Sequence, residues 1–208
     1  MNKSLVFATG NKGKLREAQE ILGEEFSILS PAEVGVDPEV EETGTTLKAN
    51  SIIKAEHLYS LCGRDCFADD TGLEVDALGG APGVYTARYA GPDCDFDDNM
   101  DKLLLELAAL GPEAPRTARF RCVVTLILDG QKHFFEGVMG GEIALGKAGC
   151  EGFGYDPVFI PARSAYENAG EAAPEQALTI AELGEDLKNR ISHRARALEL
   201  MSCFLNEA

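Results

Sequence analysis

The 208-residue sequence predicts an α/β fold in which helices flank a mixed sheet. Two observations carry this. Apolar runs of strand length alternate with segments of helical spacing, beginning with Ser4 to Thr9 and then Lys14 to Leu22. Further on, two strand-like segments flank Gly130-Gln131, the pattern of an antiparallel hairpin, which a purely parallel doubly wound sheet lacks.

Taken in order, Ser4 to Thr9 reads as a buried strand and Gly10-Asn11-Lys12-Gly13 as a turn. Lys14 to Leu22 reads as a helix through the spacing of Leu15, Ala18, Ile21 and Leu22. Ser27 to Leu29 gives a second strand and Pro31 to Glu42 a loop. Thr46 to Leu61 is a long helix with Leu47, Ile53, Leu58 and Leu61 as its core face. Cys66 to Asp69 is a short strand ending at two acids, and the glycine- and proline-bearing stretch 71–92 is a long structured loop. Asn99 to Leu110 is an amphipathic helix. Arg119 to Asp129 and Lys132 to Met139 form the hairpin, Gly141 to Ala144 extends the sheet, and Gly149 to Pro161 is a second glycine-bearing loop. Thr179 to Leu183 and Asp186 to Leu205 are helical, broken near Gly184. No repeat, linker or low-complexity tract divides the chain, so residues 1–208 read as one domain.

Composition narrows the function. Hydrophobic residues make up 45% and charged residues 26%, as in a globular protein. The longest apolar stretches, such as Val123 to Leu128, are far short of a membrane span, and the N-terminus lacks a signal-peptide pattern. A formal charge of −16 argues against binding nucleic acid, whose phosphates demand a basic footprint. The same charge repels a nucleoside triphosphate, so a nucleotide enzyme of this balance needs local cations and a metal ion. Cys62, Cys66, Cys94, Cys122, Cys150 and Cys203 include no Cys-x-x-Cys pair, and His57, His133 and His193 are scattered, which speaks against zinc. Reduced thiols and the missing leader point to the cytoplasm.

Five clusters carry candidate chemistry. Thr9-Gly10-Asn11-Lys12-Gly13-Lys14 lies between a strand and a helix, where free amides and two lysines can cradle an anion; it is not a P-loop, and such turns also serve as plain connections. Glu41-Glu42-Thr43-Gly44 precedes a helix whose Asn50 and Lys54 share a face; alone this reads first as a solvated acidic loop capping a helix. Asp69-Asp70-Thr71-Gly72 is the strongest. Side chains alternate along a strand, so at most one of the two acids faces any given cleft, and two ionised neighbours favour a cation or a raised pKa on one. Oxygen-only ligands suit Mg²⁺. Gly152-Phe153-Gly154-Tyr155-Asp156-Pro157 can hold an aromatic ring clear of the backbone to stack on a base, or can bury Phe153 in a tight turn. Lys188-Asn189-Arg190-Ile191-Ser192-His193-Arg194 concentrates cations against the trend of the chain. Together these supply an anion cradle, metal acids, an aromatic platform and compensating cations, the requirements of nucleotide phosphate chemistry.

The same segments closely resemble the inosine/xanthosine triphosphate pyrophosphatases, the Ham1-like family acting on noncanonical purine nucleoside triphosphates. The matching residues are Ala8-Thr9-Gly10-Asn11 through Lys14; Glu42-Thr43-Gly44 with Asn50 and Lys54; Ala68-Asp69-Asp70-Thr71-Gly72-Leu73; Gly79 to Gly83 through Ala87-Arg88-Tyr89; Gly152 to Pro157; and Ser192-His193-Arg194. They run in the family's order from residue 8 to 194, with Thr71 where the family more often has Ser. The resemblance implies an elongated, twisted mixed sheet with two lobes around a central substrate cleft, working as a homodimer, for which apolar loop residues around Val84 to Tyr89 offer an interface. It implies hydrolysis of ITP, dITP or XTP to the monophosphate and pyrophosphate with Mg²⁺. Thr9, Gly10, Asn11, Lys12, Gly13 and Lys14 would then hold phosphates, with Glu42 and Asp70 as metal ligands and Glu41 a rival to Glu42. Asp70 would be the base for the attacking water with Asp69 beside it, and Lys54 would offset phosphate charge. Thr71, Phe153, Gly154, Tyr155, Asp156, Lys188, His193 and Arg194 would complete the nucleotide contacts, Phe153 stacking on the purine. Selectivity would come from donors facing the purine 6-oxo group, with His193 or amides near Phe153 as candidates. The alternatives are a house-cleaning pyrophosphatase for other modified nucleotides and a nucleotide-binding regulator that does not hydrolyse.

Overall fold

The computed structural model describes residues 3–92, 95–152 and 154–207. In chain order these form β1 (Lys3–Phe7), α1 (Lys12–Leu22), β2 (Phe26–Leu29), α2 (Leu47–Cys62), β3 (Cys66–Val75), β4 (Pro82–Gly83), α3 (Phe96–Ala109), β5 (Thr117–Leu128), β6 (Gln131–Ile143), β7 (Phe159–Pro161), α4 (Arg163–Asn168), α5 (Glu185–Ile191) and α6 (His193–Glu207). Short 3₁₀ turns join several of them. The chain divides into two compact units, the first comprising residues 1–71, 122–137 and 194–208, the second residues 72–121 and 138–193. β3, β5 and β6 contribute residues to both.

In the first unit, β1 pairs in parallel with β2 on one side and β3 on the other. Leu5, Val6 and Phe7 are all buried, the continuous apolar run expected of a parallel strand covered on both faces. The register sets Phe7 opposite Phe67, and their rings stack at 4.3 Å between centroids. Leu5, Phe7, Ala18, Leu22, Phe67, Val124, Leu126, Leu198 and Met201 form one core; Val6, Ala55, Leu58, Ala68 and Ile127 form another. The hairpin between β5 and β6 turns at Asp129-Gly130, not Gly130-Gln131; both residues have positive φ (48° and 75°), as a tight primed turn requires.

In the second unit, β4 runs antiparallel to the end of β3, and β7 antiparallel to the end of β6. Its core gathers Leu73, Met100, Leu103, Leu107, Phe120, Met139, Tyr155, Phe159 and Tyr166. Parallel pairs in one unit and antiparallel pairs in the other make the sheet mixed, as the sequence predicted.

The structure corrects three further expectations. β3 does not end at Asp69 but runs through both acids to Val75, because Leu73 and Val75 continue the buried alternation into the second core. The stretch 71–92 is therefore partly strand. In α2 the buried face is Leu47, Asn50, Ser51, Ala55 and Leu58, while Ile53 is only partly buried and Leu61 is 45% exposed. Asn50 and Ser51 take core positions because partners wait there: Asn50 Oδ1 accepts from the Gly44 amide (2.8 Å), and the Ser51 and Thr125 hydroxyls lie 2.7 Å apart. Finally, the C-terminal helix breaks a second time. Ser192 is extended (φ −71°, ψ 153°), ending α5 just before α6 begins.

Candidate active site

β3 delivers Asp69 and Asp70 side by side, 3% and 8% exposed. Because they are neighbours in a strand, their side chains leave opposite faces and meet different helices. Asp69 receives Lys14 Nζ from α1 on both oxygens (2.9 Å each) and Arg194 Nε from α6 (3.0 Å). Asp70 receives Lys54 Nζ from α2 (2.7 Å). Thr71, next in the strand, leaves on the same face as Asp69.

These surroundings drive the two carboxyls apart. Burial opposes ionisation of Asp69, but Lys14 and Arg194, with Lys54 further off, outweigh it and hold Asp69 ionised far below the usual carboxylate range. At Asp70 burial is the largest influence and raises the pKa; Lys54 opposes it, and the negative charges of Glu42 and Asp69 push it up again. Burial works against the Lys54 ammonium, yet Asp70 and Asp69 together leave its pKa raised. Asp69 is thus a fixed charge, and Asp70 a carboxylate poised to take a proton.

The loop before α2 brings a second carboxylate to the same lysine. Glu42 Oε1 lies 3.1 Å from Lys54 Nζ, whereas Glu41 is exposed. Glu42 is held there because its loop presses on the start of α2: a Cβ on Gly44 would lie 2.5 Å from Asn50 Oδ1 and 2.8 Å from Ala49 Cβ. Only glycine allows so close an approach.

The turn between β1 and α1 differs from a row of free amides. Asn11 caps α1, its Oδ1 accepting from the Gly13 and Lys14 amides (2.8 and 3.2 Å), and Thr9 Oγ1 accepts from the Asn11 amide (3.1 Å). Asn, Asp, Ser and Thr are the residues that cap helices, which is why this turn forms locally; the same capping occupies amides that the sequence left open. Lys12 and Gly10 remain exposed, and a Cβ on Gly10 would meet nothing within 4 Å.

Arg194 occupies a different place from a surface contact. It is 8% exposed, and besides Asp69 its Nη1 reaches Glu17 Oε2 of α1 (3.3 Å). Sequence reading missed Glu17, which is buried at the same helix turn as Lys14. Its signal was available: Lys14 and Glu17 are i, i+3 neighbours on α1.

The second unit holds the remaining predicted residues, except Phe153, which lies outside the described residues. Asp156 is buried and accepts from Lys188 Nζ (2.5 Å). Gly152 (φ 85°) is necessary there, since a Cβ would collide with the Asp156 carboxylate. Gly154 also has positive φ (64°). Tyr155 is a core residue: its ring is buried and its hydroxyl donates to the Thr86 carbonyl (3.1 Å). The His193 ring stacks on Phe120 at 5.0 Å.

These features define a class, an α/β protein whose central strand presents two buried acids, one neutralised and one poised, among lysines from the adjoining helices. A family model described as the Ham1 family matches residues 5–204, and the chain belongs to that family. It is 46% identical over 195 residues to the dITP/XTP pyrophosphatase of Flavobacterium johnsoniae, covering 94% of each chain. It is also 46% identical over 203 residues to the dITP/XTP pyrophosphatase of Porphyromonas gingivalis, covering 98% of this chain and 97% of that one. Among solved structures, the Ham1 protein of Staphylococcus aureus matches with a TM-score of 0.83 and 37% identity, covering 99% of both chains. That of Coxiella burnetii matches with a TM-score of 0.84 and 38% identity, covering 99% of this chain and all (100%) of that one.

Proposed function

We propose that the chain hydrolyses dITP, ITP and XTP to the monophosphate and pyrophosphate, clearing noncanonical purine nucleotides from the pool. The observation that carries this reading is the division between Asp69, neutralised by Lys14 and Arg194, and Asp70, which faces Lys54 together with Glu42. A carboxylate held beside Lys54 is placed to take the proton of the water that attacks the α-phosphorus. Lys54 offsets charge on the phosphates, and Lys12, exposed at the start of α1, adds a second cation beside the helix N-terminus.

Glu42 and Asp70 fit a Mg²⁺ ion. Both are hard oxygen donors drawn to one lysine, and Mg²⁺ is held by one or two carboxylates with water and substrate phosphates filling its shell. When bound, the ion polarises the phosphate oxygens and offsets the charge on pyrophosphate. In the second unit we assign Asp156, Lys188, His193 and Phe153 to the purine. An amino group in place of the 6-oxo group would leave a buried donor unpaired at about 1–3 kcal/mol.

We also read the chain as a cytoplasmic homodimer. Tyr85, 53% exposed on the loop suggested as the interface, supports the second part; a monomer in sedimentation at working concentration would overturn it. Among the described residues no helix is long and apolar enough to cross a membrane. The deciding experiment incubates the protein and Mg²⁺ with ITP, dITP, XTP, dUTP, GTP and ATP in parallel. Pyrophosphate release, fastest from ITP, dITP and XTP, is expected; orthophosphate as the product, or preference for dUTP, would sink the reading.

A further inference from the structure

In the second unit, Ala148 and Pro157 are joined, the Ala148 amide donating to the Pro157 carbonyl (2.8 Å). The segment between them carries Asp156, whose partner Lys188 stands on α5, which begins at Glu185. A junction ties this segment to the turn leading into α5. Thr179, 2% exposed, places its hydroxyl 2.8 Å from the Ala148 carbonyl and 3.0 Å from Glu182 Oε2. Glu182 also accepts from the Thr179 amide (2.9 Å), completing a capping box. On the other side of the junction Gly149 (φ 79°) lies so close that a Cβ would sit 2.6 Å from the Ala181 backbone, and the Glu151 amide reaches the Ala181 carbonyl (3.4 Å).

A capping threonine needs only its own turn. The bond from Thr179 to a carbonyl 31 residues away exceeds that need. It fixes the spacing between the segment bearing Asp156 and the segment bearing Lys188, two groups that must meet within hydrogen-bond distance. We propose that Thr179 is a positioning residue for purine discrimination, acting through the Asp156–Lys188 pair and touching no substrate itself. This rests on the pyrophosphatase reading given above, with that pair at the purine.

The test compares Thr179→Val, which keeps shape and removes the hydroxyl, with Thr179→Ser, which keeps the hydroxyl. Pyrophosphate release from ITP and GTP is measured for each. Misplacement of a binding group weakens binding and selectivity more than chemistry, so Thr179→Val is expected to raise KM for ITP about tenfold and lower ITP-over-GTP selectivity about tenfold, with kcat within about threefold. Thr179→Ser should restore wild-type values. Gly149→Ala, which strains the same junction from the loop side, should reproduce the KM and selectivity changes and stands in if the valine variant does not fold. Wild-type selectivity in the folded variants, or loss of kcat at unchanged KM, overturns the proposal. If the wild-type protein releases no pyrophosphate from ITP, it is the pyrophosphatase reading that fails.

Discussion

Asp69 and Asp70 are consecutive in β3, yet Asp69 is held by Lys14 and Arg194 while Asp70 is held by Lys54. The pleat of the strand sends them to opposite faces; burial raises Asp70 against the pull of Lys54, whereas Lys14 and Arg194 outweigh burial at Asp69, so the two carboxyls shift in opposite directions. Their substitution should therefore have different consequences.

Asp70→Asn should remain folded and lose turnover by about 100- to 10,000-fold, the usual contribution of a positioned general base. Steady-state pyrophosphate release from ITP checks this, and retention of more than a tenth of the activity would remove Asp70 from the role.

The stabilities of the two variants should change in opposite directions when measured without metal. Asp69 has a depressed pKa in the folded state, so it contributes stability above the unfolded value of about 3.9 that is lost as pH falls through its lower folded value. Asp69→Asn leaves Lys14 and Arg194 without their shared partner and should cost about 3–5 kcal/mol at neutral pH. Asp70 has a raised pKa, so its stabilising contribution is present below the unfolded value and disappears as pH rises through the folded value. Asp70→Asn should accordingly be at least as stable as wild type at pH 7, its advantage vanishing in acid. Urea unfolding in EDTA at pH 7 and pH 4 decides; equal destabilisation by both substitutions would contradict the division of roles.

Glu42 turns toward Lys54 and Glu41 does not. Chelation should abolish hydrolysis, and Glu42→Gln should raise the Mg²⁺ concentration for half-maximal activity by about tenfold or more, with Glu41→Gln unchanged. A Mg²⁺ titration of both variants makes the comparison, and a larger shift from Glu41→Gln would reverse the assignment.

Cys66 and Cys122 are buried, and burial first of all pushes both thiols up to about 12. Cys150 and Cys203 are exposed. Iodoacetamide at pH 8 should therefore modify Cys150 and Cys203 in the native protein and leave Cys66 and Cys122 intact until it is unfolded, as peptide mass mapping can follow.

Much of this was legible in the chain. The strand at Leu5, Val6 and Phe7, the helix bearing Asn50 and Lys54, and the hairpin all follow from local periodicity and from residues whose preferences act within a few positions. Glycine-rich turns and the acid pair marked the candidate site, and the family resemblance joined them. Local signals failed where the energy is not local. Hydropathy favoured Leu61 for the buried face of α2, but Asn50 and Ser51 hold core positions because distant partners satisfy their polar groups.

By itself, then, the sequence determined the alternation of elements and singled out Asp69-Asp70 as the candidate segment, because strand, turn and cap preferences are properties of a few neighbouring residues. Only the tertiary structure decided that Asp69 is spent on Lys14 and Arg194, that Glu17 backs Arg194, that Tyr155 belongs to the core and that Glu42 rather than Glu41 meets Lys54. Those outcomes depend on charges 55 and 125 residues apart being desolvated together, and the strength of such pairs is set by distance and burial, which no local pattern encodes.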